Sequence, residues 1–249
     1  MPRVAWLPRS AARPGARFVR RLVHLYAGLV LYGFSCALMV RAGLGLAPWD
    51  VLHQGVSRHT GVSIGVVSIV VGALVLPLWW PLRQRPGLGA VSNVLLVGSV
   101  MDAGLWLVPA PHGLALRVPL LAAGVVLNGL ATGLYISASF GPGPRDGLMT
   151  GLHLRTGRSI RLVRSVIEVG VLVAGVALGG SFGVGTVLYA LAIGPLAQLF
   201  LRACALPAPV AAGTPRAAGP SGGPPDGPGR AEPREAGQAA GAAGGILPR

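Results

Sequence analysis

Six apolar runs, each about 20 residues long, fill most of the chain: residues 22–43, 62–82, 88–109, 118–140, 162–180 and 183–201. At about 1.5 Å of rise per residue, a helix of that length crosses a hydrocarbon layer about 30 Å thick. The first run is too long for a cleavable signal segment, so it is expected to remain as a span. The expectation is an all-α, polytopic membrane helix bundle of about six transmembrane helices. Composition agrees: 52% of the 249 residues are hydrophobic and only 11% are charged, against about a quarter charged in soluble domains.

The formal net charge is +14, which in a soluble protein would point to nucleic acid. Here the arginines lie mostly outside the apolar runs and follow the bias that orients membrane proteins, so no nucleic-acid partner is expected. Arg3, Arg9, Arg13, Arg17, Arg20 and Arg21 precede the first run, Arg83 and Arg85 follow the second, and Arg145, Arg155 and Arg158 follow the fourth. The alternate connections hold only Arg41, Arg58 and Arg117. Six spans with the amino end inside place both termini in the cytoplasm. Residues 1–20 read as a basic cytoplasmic arm, 21–203 as the membrane domain and 204–249 as a disordered cytoplasmic tail of alanine, glycine and proline. Trp79, Trp80 and Trp106 stand where interfacial aromatic belts are expected.

Within the membrane domain the chain matches itself at an offset of 96 residues, without a gap, and about a third of the aligned positions are identical. Glycine and leucine inflate such a score, so the informative part is polar. Gly45, Pro48, Asp50, Gly55, Thr60, Gly61 and Ser63 recur as Gly141, Pro144, Asp146, Gly151, Thr156, Gly157 and Ser159. Repeat one covers 22–108 and repeat two 118–203. With three spans in each, the second half enters from the opposite face, so the repeats are expected to be inverted. Inverted repeats are a recurring plan of secondary transporters, with the binding site at the repeat interface.

The shared pattern G-x-x-P-x-D-x-L-x-x-G lies after the first and fourth spans. Gly45, Pro48, Gly141, Gly143 and Pro144 form its structural part. Glycine ends the span, proline suits the first helical turn, and an aspartate two residues later opposes the positive helix end. Short elbow helices are therefore expected to start near Pro48 and Pro144. In the first, Asp50, His53, Gln54, Ser57 and Arg58 make one polar face opposite Trp49, Leu52 and Val56. Two readings stay open: an elbow lying at the interface, or a half-helix dipping into the bundle to coordinate a solute.

At Gly45, Pro48, Trp49, Asp50, Val51 and Leu52, and again at Gly141, Gly143, Pro144, Arg145, Asp146, Gly147, Leu148 and Met149, the chain resembles the YczE-type membrane proteins of bacteria, related to the YitT-like group. The resemblance covers about residues 20 to 203. It implies a multi-pass protein of the bacterial cell membrane and supplies no catalytic residues.

Ionisable groups inside or beside the spans complete the candidate set. Asp102 lies in the third span, where an unpartnered aspartate costs about 3 kcal/mol, and is expected to face the bundle. Its counterpart in the repeat is Gln198. Asn93 and Asn128 are candidates for interhelical hydrogen bonds. Arg161, Arg164 and Glu168 open the fifth run where the first half has Gly65, Ser68 and Gly72. The histidines form no metal-binding spacing, Cys36 and Cys204 form no zinc or disulfide framework, and no phosphate loop or nucleophile elbow is present. No enzyme activity, cofactor or metal is expected. The leading expectation is a transporter-like protein that binds or moves a small solute or ion through Asp50, Asp102, Asp146, Arg145, Glu168 and Gln198. Its partners would be the lipid bilayer, that solute and a second copy of the chain. The alternative is a non-transporting accessory or assembly protein, which needs no buried charge.

Overall fold

The computed structural model describes residues 14–205; the expected arm up to residue 13 and the expected tail from residue 206 lie outside the described residues. The described residues form α1 (Pro14–Ala42), α2 (Pro48–Thr60), α3 (Ile64–Val75), a 3-10 turn (Leu76–Trp79), α4 (Leu88–Leu107), α5 (Leu114–Ser137), α6 (Pro144–Thr156), α7 (Ile160–Ala177) and α8 (Val184–Ala203), with no strand among them. Thus α1 starts at Pro14, inside the stretch read as an arm.

The recurring polar residues do local work at the same points of both halves. Pro48 and Pro144 open α2 and α6, where a missing N–H breaks no hydrogen bond. Gly61 and Gly157 end them at φ 72° and 65°, a conformation glycine adopts without steric cost. Ser63 and Ser159 then cap α3 and α7, each accepting at 3.3 Å from the backbone N–H three residues on. The bounds of α2 and α6, and of α4 and α8, differ by the same offset of 96.

Four helices are long and apolar enough to cross a membrane: Phe18–Ala42 within α1, then α4, α5 and α8. A fifth crossing arises if α2 and the α3 segment count together as one broken span, bent by 115°. The expected second span, 62–82, is helical only to Val75 and then tightens into the turn containing Pro77. Helix α7 carries Arg161, Arg164 and Glu168 in its first turns.

Helices α1 and α5 pack together at the centre and run antiparallel, each end tied by an arginine of the other. Arg21 Nε and Nη2 donate to Ala138 O and Ser139 O, both at 2.8 Å, at the end of α5. Arg117 Nε and Nη2 donate to Ala42 O at 2.6 Å and Gly43 O at 2.5 Å at the end of α1. These two arginines are themselves repeat partners, 96 residues apart. Both satisfy carbonyls that a helix end leaves without an internal partner. Helix α4 packs on α1 and α8 on α5, while α2 crosses α7 and α3 crosses α6. At that last pair of crossings the halves trade bulk. Trp79 fills the space over Gly147, where a Cβ would come within 2.0 Å of its ring. Gly175, the repeat partner of Trp79, instead lets α2 approach, with Leu52 N 2.5 Å from where a Cβ would stand.

The aromatic belt needs one correction. Trp80 and Trp106 are each 88% exposed on the outer surface, but Trp79 is only 1% exposed. Its Nε1–H donates to Pro144 O at 3.1 Å and so holds the start of α6.

Candidate functional site

Both elbow helices turn their first residues inward, and together they line one cavity of about 300 Å³. From α2 come Trp49 and His53, from α6 Arg145 and Asp146, and from α1, α5 and α8 the rings of Tyr32, Tyr135 and Tyr189. Val71, Val75, Val94 and Val97 supply an apolar wall. Asp50 sits immediately behind, 3% exposed.

Folding brings the two motifs together, with Arg145 Nη2 3.7 Å from Asp50 Oδ1. Asp50 also faces His53 of its own helix, with Nδ1 3.4 Å from Oδ1. Arg145 stands over the Trp49 ring, 5.0 Å from its centroid, in cation–π geometry. Asp146, the neighbour of Arg145 in sequence, turns elsewhere and accepts from Tyr135 Oη–H at 2.5 Å. Tyr135 meets Tyr32 edge to face at 6.2 Å, a favoured aromatic arrangement.

The polar face of α2 is met by protein. Gln54 Oε1 accepts from Ser181 N at 2.7 Å, and Arg58 donates to Gly179 O and, at 3.0 Å, to Ser181 Oγ. A helix whose charged face is satisfied by a neighbouring turn is anchored in the bundle by that face. Its remaining buried polar atoms are the notable ones. Trp49 Nε1 and both ring nitrogens of His53 are buried without a hydrogen-bond partner among the described residues. Leaving such a group unpaired costs about 1–3 kcal/mol.

Of the other residues singled out from sequence, Gln198 lines the cavity and Arg164 reaches its edge. Glu168 is outside the lining and holds Arg164, with Nε 2.8 Å from Oε1. Asp102 lies apart from the cavity. Its carboxylate accepts from Ser63 Oγ–H at 2.6 Å and Gly65 N–H at 2.8 Å, so α4 caps the start of α3. Asn128 is a structural node. It donates to Ser35 Oγ at 2.8 Å and accepts from Tyr189 Oη–H at 3.0 Å, joining α1, α5 and α8. Asn93 lines the cavity. Sequence reasoning had not singled out Tyr32, Tyr135 or Tyr189. No motif marks them, because each enters the site only through helix packing. Among the described residues, no group of three or more His, Cys, Asp or Glu side chains is placed to hold a metal ion.

A protein of 37% identity from Haemophilus influenzae, itself named only as uncharacterized, aligns over 81% of this chain and 91% of its own length. The uncharacterized membrane protein YczE of Bacillus subtilis is 34% identical over 74% of this chain and 86% of its own. The uncharacterized protein YyaS of the same organism is 26% identical over 70% and 89%. No solved structure matches. The model of the family of unknown function DUF6198 matches residues 19–202, nearly the whole described chain, and the chain belongs to that family, as a membrane protein of the YczE type.

Proposed function

We propose that this protein is a transporter-like protein of the bacterial cell membrane that binds or moves a small solute or ion in the cavity between its two halves. The observation that carries the reading is the meeting of the P-x-D elbows, one from each half, with Asp50 and Arg145 3.7 Å apart beside a cavity of about 300 Å³. Ionisable groups held inside apolar helix bundles are costly and mark solute or ion paths. Broken helices that meet at the interface of two repeats are where such paths bind their cargo.

The reading includes six crossings, with α2–α3 and α6–α7 each counted as one bent, broken span, and both termini in the cytoplasm. It also takes the halves as inverted. Support comes from the antiparallel α1 and α5, whose mutual arginine caps are related by the repeat. Two such helices crossing one bilayer run in opposite directions. We assign no enzyme activity and no cofactor.

The test is reconstitution of the full chain into liposomes with a panel of ions and metabolites. Wild type is compared with the double variant Asp50→Ala, Asp146→Ala, after both are shown to melt cooperatively. Flux or binding is expected in wild type and lost in the variant. Activity that survives the double change removes the site. Silence across the panel moves the weight to an accessory or assembly role.

A further inference from the structure

The cavity's hydrogen-bonding capacity is unevenly used, and the pattern of what is left over describes a ligand. Arg145 has five N–H donors, and none makes a hydrogen bond among the described residues. Its contacts are the Asp50 carboxylate at 3.7 Å and the Trp49 ring, and its side chain is only 25% exposed. Beside it, Trp49 Nε1–H points no hydrogen bond at any acceptor although Trp49 is 7% exposed. That side of the cavity holds spare donors and a positive charge. Opposite in kind is Asp146. Its Oδ2 takes the Tyr135 hydroxyl, its Oδ1 has no partner, and no cation lies within ion-pair distance among the described residues.

Arg145 and Asp146 are adjacent in the chain and both line the cavity, yet they do not neutralise one another. Each is drawn to a different neighbour, Asp50 in one case and Tyr135 in the other. An anion without a cation, beside a guanidinium whose charge is met by Asp50 but whose N–H donors make no hydrogen bond, is complementary to a molecule carrying an ammonium and a carboxylate close together. Such a molecule uses both, whereas a simple anion leaves Asp146 without a cation and a simple cation leaves the donors of Arg145 and Trp49 Nε1–H unused. The tyrosine and tryptophan rings suit an ammonium group near Asp146, and the valine wall suits an apolar substituent.

Resting on the reading of this cavity as a solute site, we propose that the ligand is a small zwitterion of the α-amino-acid class. Its carboxylate is received by the Arg145 guanidinium and Trp49 Nε1–H, and its ammonium by Asp146.

The test is equilibrium binding to the purified full-length chain in detergent, with the twenty standard amino acids as probes. The best binder is followed by two analogues, the amine lacking its carboxylate and the acid lacking its amino group. At least one amino acid with an apolar side chain is expected to bind, and each analogue to bind at least tenfold more weakly. Arg145→Gln should abolish the advantage of the amino acid over the amine, and Asp146→Asn its advantage over the acid. Melting curves identify any variant that fails to fold. Arg145→Lys, which keeps the charge but loses the planar fork, should then give an intermediate affinity. An acid that binds as well as the amino acid overturns the proposal in favour of an anion site, and an equally good amine in favour of a cation site. If no amino acid binds while another solute does so through Asp50 and Asp146, the ligand class is wrong and the solute site stands. If nothing binds in either panel, both fall.

Discussion

The two halves share their local design but close differently at one helix pair. In the first half α3 lies against α4 with glycine on both sides of the contact. A Cβ on Gly65 would come within 2.2 Å of Gly98 O, and one on Gly98 within 2.4 Å of Gly65 O. Asp102 then locks the pair by capping α3. In the second half the matching residues are Arg161, Gly194 and Gln198. Helices α7 and α8 do not pack along their lengths, and a Cβ on Gly194 would meet nothing within 4 Å. The cavity has Gly194, Gln198 and Arg164 in its lining. One half is therefore closed by small residues at this helix pair, whereas the other has Arg161 and Gln198 at the matching positions and opens there onto the cavity.

The inverted relation of the halves has an all-or-none consequence for topology. Reporter fusions after Leu52, Leu148 and Leu206 are expected to read outside, inside and inside. A cytoplasmic signal at the first, or an external one at the third, removes the inverted relation between the halves.

Next in size is the contrast between equivalent glycines. Gly98→Leu should cost about 3 kcal/mol or more, since the clash is with backbone that has nowhere to move. Gly194→Leu should leave the melting temperature in detergent nearly unchanged while filling the cavity and weakening solute binding. Equal destabilisation at the two sites would show that the second half is as tightly closed as the first.

The equivalent polar residues should differ by less. Asp102→Leu removes two hydrogen bonds and leaves Gly65 N–H at the start of α3 without its partner, an expected loss of about 1–3 kcal/mol in detergent unfolding. Asp102→Asn, which keeps an acceptor, should recover part of it. Gln198→Leu should hardly affect stability. A neutral or stabilising Asp102→Leu would refute the cap as the lock of the first half.

The smallest effect belongs to the Arg164–Glu168 pair, whose side chains are 51% and 29% exposed. An exposed pair four residues apart on a helix contributes about 0.3–0.5 kcal/mol. A double-mutant cycle should find a coupling of that size at low salt and almost none at high salt. A coupling several times larger would mean that α7 is more enclosed than the exposure of this pair indicates.

What could be read directly from the chain was whatever depends on residues close in sequence. Run length marked the long helices. Proline at Pro48 and Pro144, serine at Ser63 and Ser159, and glycine at Gly61 and Gly157 marked where the elbows begin and end, because caps and turns are made within a few residues. The repeat was legible for the same reason, as identical local work leaves identical residues. Tertiary structure alone decided how these pieces face one another. Arg145 reaches Asp50 from 95 positions away in the chain. Asp102 spends its charge on Ser63 and Gly65, Trp79 is taken into the interior by the absent side chain of Gly147, and the polar face of α2 is met by the turn at 179–181. In each case the deciding partner lies on another helix. Periodicity and capping specify a helix's ends and its apolar stripe, whereas which polar groups are spent on structure and which are left for a ligand depends on what packing brings within about 3 Å.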